Sequence, residues 1–417
     1  MIVWLRFAFR NLLRNRRRSI YTMLAVGVGF AAINIFGGFT DYIFTNLRES
    51  FIYVEGNGHL SIFKSGAHDQ DRSEDPIQTL LKNEEISQIR AAVEAQSNVL
   101  AVAEVMTLNG MISNGDTSTI FVGLARVPSE HQQFKSYARG LMARLSFFEG
   151  QPLQDELEYG IGIAQGLRGK LGIEIGSPAI LMAPTVYGQI NALDAEIRQI
   201  PDAPMELLED KWVVMPLTLA QTLYDFDGAS RINLLLSDAN NLEQTRSNLA
   251  TILRADGLAI DVHIWRELSP FYVKVEGMFR VLFLFIFLIV SVIIVMSVVN
   301  TVSMAVLERS REIGTLRAIG TKRHRVVSLF SLEGALLGIS GCGLGVLLFA
   351  ATLMILSILE LSWTPPQISR SIPLEVYVVP EYLGLSMTLL TVLSCAAGIF
   401  PARRVARRNI VEALGHV

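Results

Sequence analysis

MFRVLFLFIFLIVSVIIVMSVVNTVS, Met278 to Ser303, carries one charge, Arg280, and is longer than the roughly 20 apolar residues that cross a bilayer as a helix. Three further segments qualify: Ser19 to Phe39, Val326 to Leu359 and Val379 to Phe400. The third in chain order, Val326 to Leu359, is overlong, so a helical extension or a break is expected near its outer end. Arg16, Arg17 and Arg18 precede the first as in a secretory signal. Its apolar run exceeds the roughly 7 to 15 residues of a signal core, so it reads as an uncleaved anchor.

The whole chain has 417 residues, 51% of them apolar, and a mean hydropathy of +0.39. Charged residues are 18%, against about 25% in an ordinary soluble domain. Membrane spans plus one globular part account for that balance. The charge is unevenly placed: Asp41 to Gly277 holds 18 Lys/Arg against 32 Asp/Glu, whereas the first eighteen residues hold six arginines and no acid. Basic residues also cluster between the second and third spans (Arg309, Arg311, Arg317, Lys322, Arg323, Arg325) and after the fourth (Arg403, Arg404, Arg407, Arg408), with Arg370 alone between the third and fourth. The positive-inside rule then places both termini and the middle loop in the cytoplasm and Asp41 to Gly277 outside it.

The expected fold is a membrane protein with four transmembrane α-helices and a large α+β extracytoplasmic domain inserted between helices 1 and 2. Its divisions are a cytoplasmic amphipathic segment (1–18), TM1 (19–40), the outer domain with stalk ends (41–277), TM2 (278–304), a cytoplasmic helix or loop (305–325), TM3 (326–359), a short outer loop (360–378), TM4 (379–400) and a cytoplasmic tail (401–417). In the first segment Trp4, Phe7, Ala8 and Leu12 share one helical face and Arg6, Arg10 and Arg14 another, the pattern of a helix in the headgroup plane. An ordinary positive-inside anchor gives the same topology.

Within the outer domain Gly58 to Phe63 reads as a strand and Pro76 to Gln96 as an amphipathic helix. Val99 to Ile112 and Ser118 to Leu124 read as a hairpin turning at Asn114-Gly115. A Gly-rich helix (Ile163 to Leu171) and a strand (Ser177 to Ala183) follow. Leu217 to Tyr224 (helix), Arg231 to Ser237 (strand), Leu242 to Leu253 (helix) and Ala259 to Ile264 (strand) complete a βαβ-like half. Two lobes are expected, with the polar segment Gly188 to Asp210 as the mobile loop.

Catalytic and metal chemistry find no constellation. There is no G-x-S-x-G, H-E-x-x-H, paired-Cys or EF-hand pattern, and no Walker sequence, so any ATPase is expected on a separate chain. His59, His68, His131 and His263 are scattered singly. Gly160-Ile161-Gly162 lacks the context of a dinucleotide site. Cys342 and Cys395 lie in apolar runs, which excludes a disulfide framework from the outer domain. The expectation is a chain with no catalytic residue, no metal and no bound cofactor.

After the second span comes Leu307-Glu308-Arg309-Ser310-Arg311-Glu312-Ile313-Gly314-Thr315-Leu316-Arg317-Ala318-Ile319-Gly320. It reads as a short charged helix with an apolar edge (Ile313, Leu316, Ile319) and a stop at Gly320. A basic juxtamembrane loop is the plainer reading. The run closely resembles the signature of the FtsX/MacB/lipoprotein-releasing permease superfamily, the mechanotransmission ABC transporters. Leu5 to Ser19, Gly166 to Pro178, Val262 to Tyr272 and Pro401 to Leu414 resemble other family stretches in order; Ile410 departs from the proline often found there.

The resemblance implies two such subunits, as a homo- or heterodimer, on two copies of a cytoplasmic ATPase that binds the ATP and Mg. Outward extensions of the first two helices would form a stalk. The family's coupling helix maps onto Glu308, Arg309, Arg311, Glu312, Ile313, Gly314, Leu316, Arg317 and Gly320. Substrate would be handled outside the membrane of a bacterial inner-membrane protein, with a periplasmic adaptor or lipoprotein carrier as a further partner and no nucleic acid. Extraction of a lipoprotein or lipid-type substrate leads. MacB-like efflux of peptides, toxins or drugs and FtsX-like activation of a cell-wall hydrolase are the alternatives. Asn34, Asn300 and Glu333 are polar at membrane depth, Glu333 in a structural hydrogen-bonding role. Gly334/Gly338 and Gly341/Gly345 have the spacing that lets helices approach closely.

Overall fold

The computed structural model describes residues 10–11, 16–67, 76–364 and 371–407. Most of the segment 1–18, together with His68, Arg370, Arg408 and Ile410, lies outside them. The chain divides into a helical unit (Met1–Phe44, Lys274–Leu361, Pro373–Val417) and an α+β unit (Thr45–Val273, Ser362–Ile372). The first helix, α1 (Arg16–Glu49), continues past the expected end of its span and closes in a π-helical turn, Ser50–Val54.

The α+β unit is built on one ten-stranded sheet. Its elements in chain order are β1 (Leu60–Lys64), α2 (Asn83–Glu94), β2 (Val99–Ser113), β3 (Ser118–Arg126), α3 (Pro128–Ser136), β4 (Phe148–Gly150), β5 (Gly160–Ile163), α4 (Gln165–Leu171), β6 (Pro178–Pro184), β7 (Ile190–Pro201), β8 (Trp212–Pro216), α5 (Leu217–Tyr224), β9 (Arg231–Leu236), α6 (Leu242–Ala255) and β10 (Ile260–Ile264). The strand order is β10-β1-β9-β2-β3-β8-β5-β7-β4, with β6 pairing β2 and β7.

Two lobes share this sheet. In the first, β1-α2-β2 and β9-α6-β10 interleave as β10-β1-β9-β2 with all pairs antiparallel, a β-α-β-β-α-β arrangement. Leu60 and Ile62 face Ile89 and Val93 of α2 and Leu249 and Leu253 of α6, closing its core. The second lobe is inserted between β2 and β9 and has a core of its own, including Leu108, Phe121, Ile161, Leu167, Leu181 and Ile197. The fifteen-residue β2 serves both lobes, pairing β9 through its first half and β3 and β6 through its second.

Several local expectations are corrected. Pro76 to Gln96 is not one helix: Pro76–Thr79 is a single turn, Leu81–Lys82 is extended, and α2 starts at Asn83, where Glu85 accepts the Lys82 backbone N–H at 2.8 Å. The Gly-rich helix expected over Ile163 to Leu171 forms as α4, starting at Gln165, with Ile163 the last residue of β5. Gly188 to Asp210 is no loop but contains β7, whose Ala195 and Ile197 are buried while the intervening polar residues are not. The hairpin turn forms as read, with Asn114 Oδ1 accepting the Asp116 and Thr117 N–H groups at 2.9 and 2.7 Å and Gly115 at φ +97°.

The helical unit continues with α7 (Pro270–Glu308, counted from its first turn), α8 (Ser310–Ala318), α9 (Arg323–Leu359) and α10 (Pro380–Ala406). Among the described residues α1, α7, α9 and α10 are long and apolar enough to cross a membrane. α7 starts at Pro270, ahead of the expected span at Met278, because proline suits a first helical position. α9 is one uninterrupted helix, so its excess length is extension and not a break.

α9 packs closely on two neighbours through glycine. A Cβ on Gly334 would lie 2.4 Å from the Ser394 carbonyl oxygen of α10, and one on Gly341 would lie 2.5 Å from Val26 Cβ of α1. Gly343, by contrast, faces open space. Gly341→Ala should therefore lower the melting temperature of the detergent-solubilised chain. Gly343→Ala should hold or raise it, since alanine is favoured over glycine by about 1 kcal/mol in a helix. Equal melting of the two variants would contradict this packing.

Candidate functional site

Charge and burial coincide where α7 turns into α8 and where α1 gives way to β1. At the first, α7 ends at Glu308 and Arg309 leaves helical geometry (φ −109°, ψ 16°). Gly320, at φ +99°, closes α8, its N–H donating to the Arg317 carbonyl and that of Thr321 to the Leu316 carbonyl, both at 3.0 Å. These two bonds satisfy the carbonyls a helix end leaves free.

The apolar edge expected on this helix divides. Ile313 is buried in the core of the helical unit with Val302, Val306, Val326 and Phe330, and Gly314 is buried beside it. Leu316 is half-buried and Ile319 is 80% exposed. Arg311 and Glu312 are exposed and Arg317 is half-buried. Ile313 is thus an anchor to the chain's own helices and not an outward contact.

Two charged residues of the expected coupling stretch are likewise engaged within the unit. Arg309 Nη1 donates to Glu333 Oε1 at 3.1 Å, the side chains being only 8% and 5% exposed. Asn11 Nδ2 donates to the same oxygen at 2.7 Å. Glu308 meets Arg18 at 2.5 Å in a more open setting. A buried pair gains little over an apolar replacement, but removing one partner leaves the other charge uncompensated. The pair therefore fixes where the α7–α8 turn sits. Asn34 Nδ2 donates to the Phe30 carbonyl at 2.8 Å and to Ser386 Oγ at 3.0 Å, tying α1 to α10. Asn300 stands on the exposed face of α7.

The second place was not foreseen. The π turn ends at Val54, and side chains from three elements bond the next backbone groups in succession. His131 of α3 bonds the Val54 carbonyl at 2.7 Å. Arg126 of β3 donates to the Glu55 carbonyl at 3.3 Å, and Asn233 of β9 to the Gly56 carbonyl at 2.8 Å. Arg231 Nη2 donates to Asn57 Oδ1 at 3.0 Å, and Asn57 Nδ2 to Glu55 Oε2 at 3.1 Å. Orphan acceptors at a negative helix end are thus met by donors, one of them the Arg126 guanidinium, with that of Arg231 one residue further on. Gly58 has no alternative here: its φ is +69° and a Cβ would lie 2.5 Å from the Leu234 carbonyl oxygen. The only signal in the sequence was Glu55-Gly56-Asn57-Gly58, a turn composition just before β1.

The returning chain joins the same end. Phe51 and Trp265 are 6.3 Å apart, Trp265 and Tyr272 make a 4.9 Å edge-on contact, and the Arg266 guanidinium lies over both of the latter. Poor solvation raises the Glu55 carboxyl to about 7, against the pull of Asn57, Arg126 and Arg231. The same burial lowers Arg126 and Arg231 to about 10 and holds His131, beside Arg126, well below its ordinary value. His131 is therefore neutral, and its Nε2–H is the donor to Val54.

Residues 283–410 match the family of FtsX-like permease C-terminal domains. The ABC transporter permease YtrF of Bacillus subtilis is 27% identical, covering 33% of this chain and 32% of its own length. The macrolide export ATP-binding/permease protein MacB of Chromobacterium violaceum is 23% identical, covering 96% of this chain. The lipoprotein-releasing system transmembrane protein LolC of Neisseria meningitidis is 23% identical, covering 77% of this chain and 79% of its own length. The chain spans about a third of the length of the first relative and 58% of the second.

Two outcomes follow from the geometry. Glu333→Leu alone should destabilise the helical unit by about 3–5 kcal/mol, while Arg309→Met combined with Glu333→Leu should restore most of that loss, as read by chemical unfolding in detergent. Equal loss in both would mean that the pair is not the coupling. At the other place, a folded carboxyl raised from 4.5 to about 7 binds a proton that the unfolded chain has released, so Glu55 weakens the fold progressively as pH rises from about 5 to 7. Glu55→Gln should therefore protect the β1 amides from hydrogen exchange more, relative to wild type, at pH 7 than at pH 5. A pH-independent difference would contradict the burial of Glu55.

Proposed function

Residues 283–410 being an FtsX-like permease C-terminal domain, we propose that this chain is the non-catalytic membrane subunit of an ABC transporter. It couples ATP hydrolysis on a separate cytoplasmic ATPase, present in two copies that hold the ATP and Mg, to movement of the α+β unit outside the cytoplasm of a bacterial inner membrane. Both termini are cytoplasmic in this reading, as the arginine distribution favours.

The observation that carries the proposal is the build of α8. Its inner side is fastened to the chain's own helices by Ile313 and, next to it, by the Arg309–Glu333 pair, while Arg311, Glu312 and Ile319 are left outward. A helix held on one side and solvent-exposed on the other suits a lever loaded by a partner. The outward contact set is then Leu316 and Ile319, with Arg311, Glu312 and Arg317 as orienting charges. A second permease subunit is supported by α7, whose most apolar stretch is only 11% buried within the chain and which presents Asn300 outward.

Lipoprotein or lipid-type substrate extraction is the preferred cargo reading. It is supported by the mutual coverage with the lipoprotein-releasing LolC, at 77% and 79%. A lipoprotein carrier outside the membrane is the further partner this reading needs. Release of a model lipoprotein from spheroplasts depleted of the chain tests it, and undiminished release contradicts it.

The division of α8 gives a sharper test. Leu316→Asp or Ile319→Asp should leave the chain folded, but the ATPase should copurify poorly or hydrolyse ATP without transport. Ile313→Asp should instead lower the melting temperature of the chain itself, because it places an unpaired charge in the core. Full ATPase association and transport in both outward variants would remove the coupling assignment.

A further inference from the structure

β10 is the edge of the ten-stranded sheet, and no other strand among the described residues pairs with its outer side. Its register on β1 fixes which backbone groups that side presents. Ser65 N–H donates to the Ala259 carbonyl at 2.9 Å and Trp265 N–H to the His59 carbonyl at 3.1 Å, with His263 opposite Ser61 and Asp261 opposite Phe63. Alternation in an antiparallel ladder then turns the amides of Asp261 and His263 inward and those of Ile260, Val262 and Ile264 outward. Glu267 Oε2 approaches the Ile264 N–H at 3.4 Å, which leaves Val262 at the centre of the free edge.

Beside this edge runs a groove of about 730 Å3 whose other wall is α6. The α6 residues lining its middle are small, Ser247, Ala250 and Thr251, and arginines stand at its two ends, Arg246 and Arg254. Leu249 and Leu253 point the other way into the core, and Ala250, between the core and the groove, leaves only a methyl on the groove side. From Arg246 to Arg254 the helix rises about 12 Å, the length of roughly four extended residues. An open strand edge facing a small-residue helical wall has the dimensions for one more strand.

The charges at the two ends are not equivalent. Arg246 donates to Glu267 at 2.7 Å, and Glu267 also meets His263 at 3.0 Å, so that end is neutralised within the chain. Arg254 is 62% exposed at the side chain and lies 3.7 Å from Asp261, whose other oxygen accepts the Gly66 N–H. Its guanidinium keeps donors for a second carboxylate.

We propose that the groove between α6 and β10 binds an extended segment of a partner protein by strand addition, with an acidic side chain of that segment against Arg254. Backbone bonds to Ile260 and Val262 supply affinity, and the Arg254 contact sets the register. This inference stands on the α+β unit alone and does not depend on the transport reading.

The test uses the full chain in detergent micelles. Its probes are fluorescein-labelled octapeptides of alternating threonine and valine with one aspartate placed at each position in turn. At least one register should bind saturably and slow exchange of the Val262 amide. Ala250→Trp, which fills the groove, should weaken that binding at least about tenfold, and Arg254→Glu should weaken it while favouring the lysine-for-aspartate probe. Unchanged exchange of the β1 amides in both variants shows that the fold is intact. Absence of saturable binding in every register, binding indifferent to Ala250→Trp, or protection elsewhere than Val262 would overturn the proposal.

Discussion

The buried pair between Arg309 and Glu333 is the interaction on which the proposed use of the helical unit as a lever depends. A guanidinium and a carboxylate with side chains 8% and 5% exposed are costly to bring out of water. They hold the α7–α8 turn because neither can leave without stranding the other. Ile313 adds an apolar contact on the same side, in the cluster with Val302 and Phe330. Together they fasten the inner side of α8 to α7 and α9.

The α+β unit solves a related problem with hydrogen bonds. A helix end carries unmet carbonyls, and a chain that must turn at once into a buried strand has no water there to meet them. His131, Arg126 and Asn233 bond the carbonyls of Val54, Glu55 and Gly56 one after another, and Gly58 gives the turn its backbone. The donors come from α3, β3 and β9, so the helix end is fastened to both lobes through β3 and β9.

What was legible in the sequence follows from what is local. Four apolar runs, the hairpin at Asn114-Gly115 and the stop at Gly320 are encoded by neighbouring residues, and each is found where it was read. β7 was missed because Asp194, Glu196 and Arg198 dominate its composition, although Ala195 and Ile197 alternate with them toward the core. The roles of Arg309 and Ile313 were assigned outward because α8 was read as a free helix; its burial comes from α7, α9 and α10, which no window over 308–320 contains. The carbonyl clamp was invisible for the same reason: its donors lie at 126, 131 and 233, each joined to residues 54–56 only by the fold.

The central claim is that α8 moves with the helices that carry it. Spin labels at Thr315 on α8 and Ile339 on α9, in a chain with Cys342 and Cys395 replaced by alanine, report the distance between them by double electron–electron resonance. The account predicts one narrow distance distribution that keeps its position when the partner ATPase is held in its ATP-bound state. A broad distribution, or one that shifts on ATP binding, would contradict it.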